Sequence, residues 1–118
     1  MKIKPMNIEF LTFNDGTIRL FETDDDEKPI PETERDYRFG NRTIGVKRYY
    51  AARELDVELT KVIHIHQNTA LDTSFTAVIS DTCYKIEQIQ HLSDTNPRCT
   101  VLSLSQRGLY QGGFDNEL

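Results

Sequence analysis

His64 and His66, separated by Ile65, come nearer than any other residues of this chain to metal-ligand chemistry. On an extended strand successive side chains alternate between faces, so both imidazoles would point to one side. Zinc needs at least one further protein ligand, and the candidates that remain are His91, Cys83, Cys99 and scattered carboxylates. The alternatives are two polar-face histidines on a half-exposed strand, or a proton-sensing interface. His91 near Cys99 raises the idea of a thiol nucleophile. No third group orients that pair and no oxyanion site can be named, so adjacency across a hairpin accounts for it. The run Asp24-Asp25-Asp26-Glu27 lacks the spacing and the closing glutamate of a calcium loop. With no glycine-rich phosphate loop and no nucleophile elbow either, the chain is expected to be no enzyme, to use no metal or cofactor in catalysis, and to act through its surfaces.

The 118 residues correspond to one domain with a modest core, and a mean hydropathy of -0.55 leaves little apolar material in excess. A net charge of -5 argues against a duplex-binding module, which presents a basic face to phosphates. The start MKIKPMNIEF is interrupted by Pro5 and Glu9, and no apolar run reaches the length of a membrane span, so a soluble, non-secreted protein is expected. If residues around Cys83 and Cys99 form a hairpin through 93–97, Cys99 faces the region of His91 while Cys83 lies at the far end of its strand. Both are therefore read as free thiols of a reducing compartment.

The elements that would position these residues are mostly strands. IEFLTFNDGTIRLFE is expected to form a hairpin with a two-residue turn at Asp15-Gly16, pairing Phe13 with Ile18, Leu11 with Leu20 and Phe10 with Phe21. Periodicity then disappears in TDDDEKPIPETERD, where like charges repel and two prolines oppose ladder pairing. Residues 23–36 are expected to be a mobile acidic loop, with a functional role or a merely solvated one as the alternatives. Tyr37-Arg38-Phe39 suggests a short strand closed by Gly40-Asn41. A helix is expected over 46–55, with Tyr49, Ala52 and Leu55 along one stripe and Lys47, Arg48 and Arg53 on its exposed side.

Four further strands are expected at about 57–66, 74–80, 83–91 and 98–105, ranges read from periodicity. Val57, Leu59, Ile63 and Ile65 share a face of the first, interrupted by Lys61. In the third, Ile89 is out of phase with Tyr84 and Ile86 unless a bulge near Glu87-Gln88 returns it to the core. The expected fold is mainly β, a small antiparallel β-barrel or sandwich with one short flanking α-helix and long loops. Residues 1–105 form the domain, and 106–118, with Leu109, Tyr110 and Phe114 around flexible glycines, form a C-terminal arm that orders on a neighbour or frays.

The succession of a strand, the amphipathic segment RTIGVKRYYAARELD, the strand TKVIHIH, a turn with Leu71-Asp72, the strand TAVI, a strand opening Tyr84-Lys85-Ile86 and a last strand CTVLSL resembles the head-completion proteins of long-tailed bacteriophages. This is the head-tail joining or head-closure group, also called minor capsid proteins. The resemblance implies a small barrel with a flanking helix, assembled as a homo-oligomeric ring, a dodecamer in the virion. It implies a place in the neck, between the portal-adaptor complex of a DNA-filled capsid and the tail or tail-completion protein, after synthesis in the bacterial cytoplasm. A loop of such a protein can act as a stopper that retains packaged DNA, which passes through without sequence-specific binding; no membrane is involved. An acidic, proline-stiffened loop suits a channel wall that repels phosphates. The channel-loop candidates are Asp24, Asp25, Asp26 and Glu27, or else Arg38, Gly40, Asn41 and Arg42. The interface candidates are Phe10, Phe21, Lys47, Arg48, Arg53, Leu109, Tyr110 and Phe114. The alternatives are an adaptor or tail-completion protein of the same assembly, or a small metal-binding or regulatory interaction domain built on His64 and His66.

Overall fold

In the computed structural model, which describes residues 8–43 and 59–109, the chain forms β1 (Glu9–Phe10), β2 (Gly16–Phe21), a single 3-10 turn (Pro31–Thr33), β3 (Arg35–Arg42), β4 (Lys61–His66), β5 (Thr76–Ile79), β6 (Thr82–Leu92), β7 (Thr95–Asn96) and β8 (Cys99–Leu109). Six strands close a barrel in the order β2-β3-β4-β8-β6-β5, every neighbouring pair antiparallel. The fold is thus mainly β, and of barrel and sandwich it is the barrel. The helix expected over 46–55, with Lys47, Arg48 and Arg53, lies outside the described residues, as do Tyr110 and Phe114.

Alternation along the strands fills the interior. Ile18 and Leu20 of β2, Phe39 of β3, Ile63 and Ile65 of β4, Ala77 of β5, Ile86 of β6 and Leu102 and Leu104 of β8 make one buried cluster. Period-two patterning in β4 and β8 is what directs these side chains inward. In β6 the pairing steps from Ile86↔Leu104 to Gln88↔Ser103, which leaves Glu87 as an extra residue and returns Ile89 to the core side opposite Leu102. This is the bulge that the sequence requires, because without it Ile86 and Ile89 would face opposite ways. One end of the barrel is closed by the β4–β5 connection, which buries Leu71 and Phe75. Polar groups seal that end: Asn68 donates its Nδ2 to Tyr37 Oη (2.7 Å) and its backbone N–H to Thr100 Oγ1 (2.9 Å). The Thr100 hydroxyl in turn is hydrogen-bonded to His91 Nδ1 at 2.9 Å.

The hairpin expected at Asp15-Gly16 does not form. Both edges of β2 are occupied, by β3 on one side and β5 on the other, so residues 8–13 have no edge of β2 to pair with. Asp15 is used differently: its N–H donates to the Phe39 carbonyl (3.0 Å) and its Oδ2 accepts the Asn41 N–H (2.8 Å). Gly16, at φ +151, lies against the Phe39 ring where a side chain would collide. Residues 8–13 instead cross the outside of the barrel as a strap, with β1 in a two-residue parallel pairing to β7. Phe21 is fully buried, so its ring is not presented to a partner.

Two boundaries also move. Residues 38–42 belong to β3, a barrel wall strand, which removes Arg38, Gly40, Asn41 and Arg42 as a channel loop. β3 also claims Arg35 and Asp36, so the acidic connection ends at Glu34, and β8 claims residues 106–109 from the expected C-terminal arm. Long-range pairing with β2 and β6 explains both extensions, since a strand continues while a partner edge is available.

Candidate functional site

Two surfaces gather the polar chemistry. The first is the acidic connection between β2 and β3. Asp24 organises it: Oδ1 accepts the N–H groups of Asp26 and Lys28, both at 2.9 Å, while the Asp24 N–H donates to the Lys28 carbonyl at 2.8 Å. An aspartate that captures backbone donors two and four residues on replaces a ladder with a tight turn. Glu27 completes it at φ +62. At the base, Ile30 donates to the Glu22 carbonyl (2.8 Å), Glu22 N–H donates to Thr33 Oγ1 (2.8 Å), and the hydroxyls of Thr23 and Thr76 meet at 2.7 Å. Asp24, Asp25, Asp26 and Glu27 thus stand together on an exposed, hydrogen-bonded projection. Glu27 reaches Arg107 of β8 at 3.3 Å. At the foot of the connection, a hydrogen bond with Asp36, then desolvation and the Asp36 charge, raise the Glu34 carboxyl above its ordinary value, with Arg19 opposing.

The second surface is the strap over β3, β4 and β8. On β4, Ile63 and Ile65 face the core, so Val62, His64 and His66 face outward. The strap covers them: Leu11 joins a second apolar cluster of Val62, Cys99, Val101 and Leu92, and Leu11 N–H donates to the Asn96 carbonyl at 3.0 Å. Phe13 stacks on His66, with ring centroids 4.1 Å apart, and meets His64 edge to face at 5.1 Å. Arg38 donates its Nε to the Phe13 carbonyl at 3.0 Å.

His64 is the hub, and at 6% exposure it is buried, unlike the half-exposed histidine that strand alternation suggests. Its Nε2 lies 2.8 Å from the Thr12 carbonyl and its Nδ1 lies 3.2 Å from Arg42 Nη1. A carbonyl only accepts and a guanidinium only donates, so Nε2 carries the hydrogen and Nδ1 presents its lone pair. Arg42 also donates Nη2 to Glu9 Oε1 of the strap at 3.2 Å. Directly opposite His64, Gly40 leaves room for the ring: a Cβ there would meet His64 Nε2 and the Thr12 carbonyl oxygen. Gly40 and Arg42, expected at a channel, therefore serve as seat and partner of His64.

With both ring nitrogens engaged, His64 has no lone pair free for a metal, and among the described residues no group of three His, Cys, Asp or Glu side chains could hold one. Cys99 is fully buried and His91 Nδ1 is hydrogen-bonded to Thr100, so those two do not form a nucleophilic pair. Cys83 lies opposite Gly108 and Cys99 opposite Leu92, at the two ends of the β6–β8 ladder, and both thiols are free. Phe10 and Leu109 are 75% and 71% exposed, Phe10 beside Asn96 just before β8 and Leu109 at its end.

The fold and these surfaces define a small closed antiparallel β-barrel carrying an outer strap and an acidic projection. No protein-family model and no curated protein matches the sequence. Sequence reasoning missed the contributions of Thr12, Phe13 and Gly40 to this surface; the available signal was a strand pair, His64 and His66, aimed away from the core with an apolar segment spare in the chain.

Proposed function

We propose that the chain is a structural virion component, a head-closure protein joining the portal-adaptor complex of a DNA-filled capsid to the tail. The observation that carries this reading is the position of its exposed apolar side chains. Phe10, with Ile8 nearby, lies by the start of β8, and Leu109 lies at its other end. β8, eleven residues long, extends about 33 Å between these two regions. A joint needs two separate contact points on a rigid body, and a closed barrel supplies the rigidity because its wall leaves few strand groups unpaired. The acidic projection at Asp24, Asp25, Asp26 and Glu27 suits a lumen that must repel a phosphate backbone. In a ring of copies, modest contacts at each subunit add to a durable joint, since later contacts form at high effective concentration.

The barrel favours head closure over the adaptor alternative, because adaptors are expected to be mainly helical. The deciding experiment is immunogold electron microscopy of particles from cells producing this chain. Label at the tail-bearing vertex is the expected result; a protein absent from virions would refute the proposal and favour a regulatory interaction domain outside any particle. Truncation after Leu109 keeps β8 whole and asks whether residues 110–118 are needed for incorporation.

A further inference from the structure

We propose that the outer edge of β6 over residues 86–92 is a self-association site, at which a second copy of this chain pairs antiparallel about a two-fold axis through Ile89. β6 runs from Thr82 to Leu92, but β5 covers its outer edge only as far as Lys85. The reason is that β5 begins at Thr76, and the chain before it turns into the barrel mouth, where Leu71 and Phe75 are buried. At the other end Ser93 and Asp94 turn the chain away toward β7. The open stretch is therefore bounded on both sides, with Ile89 as its middle residue. β5, β6 and β8 and the connections between them all lie within the described residues, and no backbone hydrogen bond from a described residue reaches this edge beyond Lys85.

The ladder determines which groups stand on the edge. The Arg98 carbonyl accepts the Gln67 N–H at 3.2 Å and the Leu104 carbonyl accepts the Thr60 N–H at 2.9 Å, so the even-numbered residues of β8 from Thr100 to Leu104 turn their backbone groups to β4 and the odd-numbered ones to β6. Thr100 and Leu102 therefore make no backbone bond to β6. Their partners on β6, His91 and Ile89, turn their N–H and C=O groups away from β8 onto the open edge. Unpaired strand groups of this kind are a template for another strand, and neither proline nor lysine blunts residues 86–92. The one irregularity, the bulge at Glu87, lies near the margin of the stretch.

The edge is complementary to itself. An antiparallel two-fold through Ile89 sets Ile89 against Ile89 and lets the two copies exchange the outward groups of both residues. It places Gln88 opposite Gln90, Glu87 opposite His91 and Ile86 opposite Leu92, each pair occurring twice. No like charges meet, and an acid meets an imidazole on either side of the axis. Glu87 Oε2 is bonded to Ser105 Oγ and His91 Nδ1 to Thr100 Oγ1, so Glu87 Oε1 and His91 Nε2 are left for the contact. A shift of one residue is excluded, because it would set the outward groups of Ile89 against Gln88 or Gln90, whose own backbone groups face β8. This inference goes beyond the neck assignment and does not depend on it.

The test is sedimentation velocity of the full chain from about 10 μM to about 1 mM, a range suited to the weak association that a short strand edge supports, together with amide hydrogen exchange at the two ends of that range. The expected result is a monomer passing to a dimer, with exchange at Ile89 and His91 slowing as concentration rises while Gln88 and Gln90, already in the ladder, change little. Gln88→Lys with Gln90→Lys puts like charges opposite each other twice and should raise the dissociation constant by about fivefold or more. Gln88→Lys with Gln90→Glu puts opposite charges there and should restore or tighten the dimer. Both positions are exposed, and circular dichroism checks that each variant is folded. If a variant fails to fold, the exchange pattern of the parent still decides. A chain that stays monomeric throughout with Ile89 and His91 exchanging freely, or a dimer indifferent to both charge pairs, would overturn the site. A larger ring that leaves Ile89 and His91 unprotected would also overturn it while leaving the head-closure reading standing.

Discussion

Gly40→Ala should destabilise this protein even though alanine is the better residue for a strand. Backbone entropy by itself favours the substitution by about 0.5–1 kcal/mol. At this position the added Cβ would meet His64 Nε2 and the Thr12 carbonyl, one of them backbone, so one side must give way. Overpacking of this kind costs about 1–3 kcal/mol. If the ring is pushed off its seat, its hydrogen bonds to Thr12 and Arg42 are strained or lost, at about 1 kcal/mol for the neutral bond and about 1.5–3 kcal/mol for the charge-assisted one. The losses overlap, because a displaced strap relieves the collision, so the net expectation is about 2–3 kcal/mol against a domain stability of about 5–15 kcal/mol. Urea unfolding followed by circular dichroism measures the total, and hydrogen exchange at Leu11 reports the strap. A double-mutant cycle with His64→Ala isolates the cause: much of the cost should vanish once the ring is absent. Gly108 is the control, because a Cβ there meets nothing within 4 Å and only its φ of +149 opposes substitution. A Gly40→Ala protein as stable as the parent, with Leu11 still protected, would refute the seating role of Gly40.

Leu102→Ala, in the centre of the barrel core, should cost about 2–5 kcal/mol in the same urea assay. Burial pushes the Cys83 thiol up despite the opposing charges of Arg107 and Arg19, so less thiolate is present at neutral pH; alkylation by iodoacetamide should be slower than for a free cysteine and should accelerate on unfolding. Asp72 is held below the usual carboxylate range by hydrogen bonds from the Ser74 side chain and backbone. Its contribution is therefore present above the unfolded-chain value and lost as pH falls through the lower folded value, so Asp72→Ala should cost under about 1 kcal/mol at neutral pH, given its exposure, and nothing in strong acid.

Local pattern determined a good deal of this molecule. Alternation in 61–66 assigned Ile63 and Ile65 to one face, and the phase conflict between Ile86 and Ile89 called for a bulge near Glu87-Gln88, which the structure places at Glu87. Both follow from the two-residue period of a strand, which needs no knowledge of partners. The strong turn pair Asp15-Gly16 misled for the complementary reason. Turn propensity is also local, but which edge a strand pairs with is decided by distant segments, and β2 finds β3 and β5 instead of the residues just before it. Phe21, Gly40 and Arg42 had chemically sensible roles in isolation as interface and channel residues; only barrel closure made the first a buried ring and the other two the seat and partner of His64. Sequence alone thus determined which residues of β4 and β6 face inward, because that depends on nearest neighbours along the chain. Tertiary structure decided what covers the outward ones, because a closed barrel brings together strap, β3, β4 and β8 across sequence separations that no local period encodes.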